Sequence, residues 1–410
     1  MRLLNEQGRY GALEGFYDER FESVVEAFLT NFSTRKELGA SCVVKIEGKS
    51  VVDIWGGKCP GSEVSWTKDT VCTVFSATKG ASALCAHLLQ DRNLLDLEAP
   101  IGTYWPEFAD NGKGAALVKM ALNHTLGVPH YREPIPEGGF YNYDYMVQRT
   151  EQEPIFWEPG TQLGYHAISM AWTLGEIVHR AASKRLGRFF NEEIAKRLGA
   201  DFSIGDSRGV AGRVSPLALA DAEENWLSSK FMKAVAKKDG SPASLFMRDF
   251  GLLEINKPVC HGAEVGSANG ITNARGLANM YSPLANGGKH GETHFISRGA
   301  MDLMSEVSME SPEDRTLLIP TRFSLGFMLS TDNRELKDAV HSSAILGERA
   351  FGHVGAGGSI GFADPQCHMS FGYAMNKMGT GLMINERGQS LVDATYRSLG
   401  YSSNENGAWA

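Results

Sequence analysis

The sequence predicts an α+β protein in which one antiparallel sheet is flanked by the first and last helices and carries a mainly helical insertion. Strand-like segments occur near both ends of the 410-residue chain, and helical patterns fill its middle. A hairpin predicted at residues 40–56 cannot stay folded alone in water, so it most simply pairs with the C-terminal strands. We therefore expect residues 1–75 and 291–410 to form a sheet domain and residues 76–290 a mainly helical domain, with a functional site in the groove between them.

The N-terminal region predicts one amphipathic helix followed by a β-hairpin. Residues 13–32 place large apolar side chains on one face at helical spacing. These side chains are Phe21, Val24, Val25, Phe28, Leu29 and Phe32. The next segments, SCVVKIE and SVVDIW, are rich in β-branched residues, and Gly48-Lys49 between them predicts a tight turn.

The middle of the chain predicts several helices joined by long loops. Residues 76–90 have an apolar stripe at helical spacing, and residues 167–182, AISMAWTLGEIVHRAA, have another. A third helix is predicted at residues 273–285, with Thr272 as its N-cap.

The C-terminal third predicts three strands and a final helix. The strand segments RFSLGFMLS, GGSIGFADP and MSFGYAMN are short and are bounded by Gly, Pro and Asp. The last helical pattern is SLVDATYRSL.

Composition and charge exclude several classes of function. The net charge of −8 leaves no basic footprint for nucleic acid. No run approaches the roughly 18 apolar residues of a membrane span, and the N-terminus lacks the apolar core of a signal peptide. The six cysteines have no zinc-ligand spacing, so we expect free thiols in a reducing compartment and no metal site. These features predict a cytoplasmic protein; whether it forms a homo-oligomer stays open.

Ser359 lies in GGSIG, which matches the G-x-S-x-G pattern of a hydrolase nucleophile elbow. That elbow needs a helix after the serine, followed by an acid and a histidine at long range. Here a strand-like segment follows, and the only downstream histidine, His368, is nine residues away. We expect a Gly-rich bend between two strands, in which Ser359 does not attack.

A second candidate nucleophile lies in one of three S-x-x-K patterns, at residues 33–36, 65–68 and 76–79. The first two occur in polar surroundings, which favour an exposed surface. The third, VFSATKG, opens a helix of small and apolar residues, where Ser76 and Lys79 share one face. Burial lowers the pKa of a lysine, and N–H groups in a first helical turn lack partners. A base beside a hydroxyl is the arrangement that covalent catalysis needs.

VFSATKG resembles the nucleophile motif of the serine β-lactamase and penicillin-binding protein superfamily. The wider pattern is similar to the class C β-lactamase-like esterases called family VIII carboxylesterases, and it extends over nearly the whole chain. The further matching segments are DIWGG, ALNHTLGV, WEPGTQLGYH, SANGITNARGLA and FGHVGAGGSIGFADP. The resemblance implies a β-lactamase/transpeptidase-like fold and catalysis without a metal or other cofactor.

The resemblance also implies roles for individual residues. Ser76 matches the nucleophile, Lys79 its partner base and Tyr165 the tyrosine of the second motif. An ammonium beside a phenol favours phenolate, and the reverse also holds, so we expect Lys79 and Tyr165 to titrate as a coupled pair. That pair takes the proton from the Ser76 hydroxyl and returns it to the leaving alcohol.

The third motif of the superfamily matches residues 353–355, with His in place of Lys. The resemblance assigns His353 and Gly355 to substrate binding, and the backbone N–H groups of Ser76 and Ala356 to an oxyanion hole. In the second motif, Ala167 replaces the asparagine of the class C pattern. A site without the Asn amide and the Lys charge is expected to prefer uncharged esters over anionic lactams.

The resulting hypothesis is a carboxylesterase that hydrolyses short-chain acyl esters, a small-molecule substrate, through an acyl-Ser76 intermediate. Two alternatives use the same acyl-enzyme: an acyltransferase, in which an alcohol or amine replaces water, and a weak β-lactamase. A third alternative is a penicillin-sensor-like binding module that becomes acylated without turnover.

Overall fold

The computed structural model describes residues 1–221 and 223–410. Its longer strands come from the two ends of the chain. In chain order the strands are β1 (Arg2–Gly8), β2 (Gly11–Tyr17), β3 (Gly39–Ile46), β4 (Lys49–Gly57), β5 (Cys72–Thr73), β6 (Phe202–Ser203), β7 (Ile271–Thr272), β8 (Lys289–His290), β9 (Thr293–His294), β10 (Met309–Ser311), β11 (Thr321–Phe323), β12 (Met328–Leu329), β13 (Phe351–Val354), β14 (Ile360–Asp364) and β15 (Met369–Met375).

The α-helices lie mostly between the two groups of long strands. In chain order they are α1 (Glu22–Thr34), α2 (Thr78–Asp91), α3 (Val118–Leu122), α4 (Tyr143–Gln152), α5 (Met170–Ala182), α6 (Leu186–Phe190), α7 (Lys196–Leu198), α8 (Glu224–Leu227), α9 (Lys230–Lys237), α10 (Pro242–Phe250), α11 (Pro258–Gly262), α12 (Ala274–Ala285), α13 (Arg298–Ser305) and α14 (Glu386–Ser398). In the described part of the chain, no helix is both long enough and apolar enough to cross a bilayer.

One large antiparallel sheet joins the two ends of the chain, as the sequence predicts. In the described residues its order is β1-β2-β4-β3-β15-β14-β13-β12-β11-β10. The N-terminal hairpin meets the C-terminal strands where β3 pairs with β15, from Met369 opposite Ile46 to Met375 opposite Ala40. This pairing gives the hairpin the partner strands that it needs for stability.

Helices cover both faces of this sheet, and alternate residues of β3 contact opposite layers. Val44 belongs to the apolar cluster that contains Phe28 of α1 and Leu391 of α14. Its neighbour Val43 packs instead with Ala274 of α12, on the other face. The sheet is therefore a middle layer, with the first and last helices on one side and α12 on the other.

The predicted N-terminal helix starts too early in the sequence. Its apolar face is correct from Phe21 onward, but residues 11–17 form β2, and α1 begins at Glu22. Gly15 has φ +134°, and a Cβ there would overlap the carbonyl oxygen of Asp53 on β4. This glycine lets the two strands approach closely and favours the strand over the helix. Strand β1, which lies at the sheet edge beside β2, was not predicted.

Two further local predictions are wrong in detail. The N-cap of α12 is Asn273, whose side chain accepts the N–H of Gly276 at 3.0 Å, whereas the Thr272 hydroxyl donates to the carbonyl of Asp201 at 2.7 Å. The segment RFSLGFMLS is two short strands, because the chain turns at Gly326, which has φ +94°. The other predicted helices and strands are present.

Candidate active site

Ser76 lies in a single helical turn, Phe75–Ala77, immediately before α2. The preceding residue, Phe75, has φ +44°, a conformation that a bulky side chain rarely adopts and that costs about 1–3 kcal/mol. Phe75 and Ala77 are buried, whereas Ser76 is half-buried. The buried neighbours therefore hold the strained backbone of this turn in place, and of its three side chains only that of Ser76 is partly exposed.

Lys79 follows one helical turn later and is completely buried. Its Nζ lies 3.0 Å from Ser76 Oγ, 2.7 Å from the carbonyl oxygen of Ala167 and 2.9 Å from that of Ser267. Burial holds the pKa of Lys79 well below its ordinary value. A neutral amine has two N–H groups and one lone pair. The two carbonyls accept both N–H groups, so the lone pair is left for the Ser76 hydroxyl.

Tyr165 forms the opposite side of this cluster, with Lys79 Nζ 4.8 Å from the centre of its ring. The ring is buried and packs against His124, at 4.8 Å between centroids, and Phe323, at 6.0 Å. Burial raises the pKa of Tyr165 above its ordinary value, and a hydrogen bond with the Ser76 side chain opposes this rise. The phenol is therefore neutral and close to the serine.

Asp314 fixes the backbone of Tyr165. Its two carboxylate oxygens lie 3.0 and 3.1 Å from the N–H of Tyr165, and one of them also accepts the N–H groups of Thr316 and Leu317. The Thr321 hydroxyl donates to the other oxygen at 3.2 Å. Asp314 is completely buried, and this burial raises its pKa to about 6 despite the four donors.

The end of β13 brings the third motif against the Ser76 turn. A Cβ at Gly355 would overlap the carbonyl oxygen of Val74 and would lie 3.4 Å from the backbone nitrogen of Ala77. Only glycine permits this approach of two backbones. Ala356, the next residue, lines the same cavity as Ser76 and Tyr165. The structure thus gathers Ser76, Lys79, Tyr165, Gly355 and Ala356 in one place.

His353 also lies beside this cluster, with its ring 6.1 Å from that of Tyr165. Its Nδ1 is 2.7 Å from the carbonyl oxygen of Val354, which can only accept, so Nδ1 carries the proton. Burial and the nearby Lys79 lower the pKa of His353 to about 3. The imidazole is neutral at pH 7, and its buried Nε2 has no hydrogen-bond partner in the described part of the chain.

Ser359 lies in the turn between β13 and β14, as the sequence predicts, and not at a strand-to-helix elbow. Its carbonyl oxygen accepts the N–H of Gly355 at 2.7 Å. The next residues form strand Ile360–Asp364, and the Ser359 side chain is fully buried. The position of Ser359 therefore supports the turn and lacks the geometry of a nucleophile elbow.

A cavity of about 680 Å³ opens on Ser76. Tyr165 and Ala356 lie at the serine end. The rest of the wall is largely apolar and comes from α8–α10, the loops that flank them and the C-terminal part of the sheet. Its large apolar side chains are Leu219, Trp226, Phe231, Phe246, Met247, Leu253, Ile255, Leu317, Met328, Val354, Met378 and Leu382.

The geometry changes one expectation and adds residues that the sequence did not reveal. The expected pair was an ammonium and a phenolate that favour each other, but burial favours the neutral forms of both Lys79 and Tyr165. Asp314 could not be recognised from the sequence, because no sequence pattern indicates that an aspartate in a loop is buried. The carbonyls of Ala167 and Ser267 were also missed, since a backbone acceptor has no residue-type signal.

Comparison with known proteins gives relatives over almost the full length. The family model described as Beta-lactamase matches residues 21–394. The esterase/beta-lactamase LipL of Mycobacterium tuberculosis is 32% identical over 382 residues, which are 91% of this chain and 85% of LipL.

Solved structures agree with this assignment. The crystal structure of a family VIII carboxylesterase matches with a TM-score of 0.82 at 33% identity, covering 94% of this chain and 99% of that chain. A penicillin-binding protein homologue from Caulobacter crescentus matches with a TM-score of 0.80 at 29% identity, with the same two coverages of 94% and 99%. The resemblance seen in the sequence motifs is thereby confirmed, and the chain belongs to the beta-lactamase family.

Proposed function

We propose that this protein is a serine carboxylesterase that hydrolyses short-chain acyl esters through an acyl-Ser76 intermediate. The observation that carries the proposal is the 3.0 Å contact between Lys79 Nζ and Ser76 Oγ. The two N–H groups of the neutral amine donate to the carbonyl oxygens of Ala167 and Ser267, so its lone pair is left for the serine hydroxyl. The names of the LipL relative and of the family VIII carboxylesterase support the ester as substrate. The free thiols of all six cysteines favour a cytoplasmic location.

In the acylation step, the neutral amine of Lys79 takes the proton of the Ser76 hydroxyl as Oγ attacks the ester carbonyl. The Tyr165 hydroxyl then gives its proton to the leaving alkoxide and is reprotonated by Lys79. The alcohol leaves, and the acyl group stays on Ser76. Water attacks this acyl-enzyme by the reverse proton path, which releases the acid and restores all three side chains.

Charge develops on the carbonyl oxygen during both steps. The backbone N–H groups of Ser76 and Ala356 are assigned to this oxyanion, since the close packing of Gly355 on Val74 brings the two segments together. Loss of one such donor commonly costs about 2.7–4 kcal/mol of transition-state stabilisation.

The same site is poorly suited to a penicillin-like anion. His353 is neutral at pH 7 because its pKa is about 3, so it offers no cation to a lactam carboxylate. Ala167 has only a methyl group where the class C pattern has an amide, and its carbonyl is already bonded to Lys79. Turnover of nitrocefin is therefore expected to be far slower than that of p-nitrophenyl butyrate.

The test is the loss of esterase activity in Ser76→Ala, with Ser359→Ala as the matched control. Ser76→Ala is expected to abolish p-nitrophenyl butyrate turnover, and intact-protein mass after rapid acid quench should show a butyryl adduct on the wild type but not on Ser76→Ala. Ser359→Ala should keep most of the turnover and the adduct. If Ser76→Ala keeps its activity while Ser359→Ala loses it, the proposed nucleophile is wrong.

A further inference from the structure

The cavity next to Ser76 is much larger than a short acyl group requires. Its volume is about 680 Å³, within the roughly 300–1,000 Å³ of pockets that hold drug-sized ligands. An acetyl or butyryl group occupies a small part of such a space. The remaining space has to be filled by another part of the substrate, or its wall stays in contact with water.

The side chains of the cavity wall disfavour a charged group in that other part of the substrate. Among the described residues, the charged side chains that line the cavity are Glu254 and Lys257, and they form an ion pair with each other at 2.5 Å. Phe231, Leu253 and Leu317 are buried and line the interior. Transfer of an apolar group from water onto these side chains is favourable, whereas an ionised group would lose its hydration without gaining a partner.

The aromatic part of the wall is held in place by a buried contact outside the cavity. Asp249 of α10 lies 3.1 Å from Nδ1 of His130, and both side chains are completely buried. The neighbouring Arg248 donates to the carbonyl of Arg132 at 2.9 Å. Helix α10 packs on α9 through Phe246 and Phe231, whose rings are 5.3 Å apart. The apolar wall is therefore largely formed before a ligand binds.

The mouth of the cavity is apolar as well. Leu219 is 73% exposed and Met247 is 39% exposed, yet both line the cavity. Exposed large apolar side chains on the rim of a pocket are typical of a site that receives an apolar ligand.

From these observations we infer that the natural substrate is an uncharged ester with a large apolar group of about eight or more carbons, which fills the cavity lined by α8–α10. This inference rests on the proposed esterase function and specifies its substrate class. The group is either the acyl chain or the alcohol, since both extend from the carbonyl carbon that Ser76 attacks. The short-chain expectation holds for the acyl side only if the alcohol carries the apolar group.

The experiment measures kcat/KM along two ester series at concentrations below micelle formation. One series is p-nitrophenyl acetate to decanoate, followed by release of nitrophenol. The other is ethyl to decyl acetate, followed by acid release in a pH-stat. A buried methylene contributes about fourfold, so we expect at least about a tenfold rise across one series. A flat or falling kcat/KM in both series would overturn the inference.

Two wall variants and one control locate the effect in the cavity. Leu382→Trp and Ile255→Trp each place a bulky indole ring in the cavity, from two separate half-buried positions on its wall. Each is expected to lower the ratio of kcat/KM for the best long ester to that for the shortest by about fivefold or more. Leu227→Trp, at a 55% exposed position on α8 that does not line the cavity, should leave this ratio unchanged. An unchanged ratio in both wall variants would contradict the inference.

The ratio is measured within one preparation, so partial unfolding of a variant cancels. It also separates this inference from the proposed function. Absence of hydrolysis of every ester by the wild type would mean that the esterase proposal fails. Hydrolysis of the shortest esters without any gain along either series would mean that only the substrate class is wrong.

Discussion

Lys79 Nζ lies 3.0 Å from Ser76 Oγ at the buried start of α2. The two residues are three apart in the sequence, so the helical turn itself brings them together. Burial lowers the pKa of the amine, which suits Lys79 to its proposed role as the base.

Replacement of Lys79 by Met is expected to lower kcat for p-nitrophenyl butyrate by about 10²–10⁴-fold, the usual contribution of a general base. Lys79→Arg should not restore activity, because a guanidinium keeps its proton at all accessible pH values. Single-turnover measurement of nitrophenol release reports the acylation step directly.

A second buried lysine provides the control for this experiment. Lys113 donates to the carbonyl oxygens of Glu151 and Glu153 at 2.9 and 2.8 Å and lies over the ring of Phe108, and none of these partners belongs to the Ser76 cluster. Lys113→Met removes a buried cation without touching the site, so the folded fraction should keep its kcat. Equal loss of kcat in Lys79→Met and Lys113→Met would mean that Lys79 is only structural.

Replacement of Tyr165 by Phe removes one hydroxyl and keeps the ring, which packs against His124 and Phe323. We expect kcat to fall about 10²–10³-fold with little change in the melting temperature, because proton transfer to the leaving group is lost while packing is kept. Esters of more acidic alcohols should be affected less, since their alkoxides leave without a proton. An equal loss for phenyl and alkyl esters would contradict this role.

The sequence predicted the elements and the chemistry that depend on periodicity and residue type. The β-branched residues of SCVVKIE and SVVDIW predict the hairpin, and the apolar surroundings of VFSATKG predict a buried Lys79 with a lowered pKa, as the structure shows. The helix predicted at residues 13–32 wrongly includes residues 13–17, which belong to strand β2. Their strand state depends on pairing with β4, a tertiary contact that local pattern does not contain.

The sequence did not predict the parts of the site that consist of backbone groups or that depend on burial. No pattern around Asp314 indicates that its carboxylate accepts a hydrogen bond from the N–H of Tyr165, which lies about 150 positions earlier in the chain. The size of the cavity is equally invisible, since it depends on how α8–α10 pack over the sheet. Residue types predict which groups react, whereas the fold determines what else they contact.

Asp314 is expected to give stability a pH dependence. Its pKa is raised from 3.8 to about 6 because it is buried, so between these values the folded state holds a proton that the unfolded state releases. Its contribution is therefore greatest below pH 3.8 and is lost as pH rises through about 6, by roughly 3 kcal/mol. Asp314→Asn does not titrate, so its free energy of unfolding relative to the wild type should rise between pH 4 and 7. Urea titrations across this range check the prediction, and a pH-independent difference would contradict it.

Gly355→Ala tests whether the oxyanion hole depends on the approach of β13 to the Ser76 turn. The new Cβ would overlap the carbonyl oxygen of Val74, which forces the two backbones apart and moves the N–H of Ala356 away from that of Ser76. We expect kcat to fall about 10²–10³-fold, the usual loss when one oxyanion donor is misplaced, while KM changes little. Gly299→Ala, on the surface helix α13, is the matched control, because its Cβ would meet nothing closer than 4.0 Å. If both variants keep the wild-type kcat, the contact between Gly355 and Val74 plays no part in catalysis.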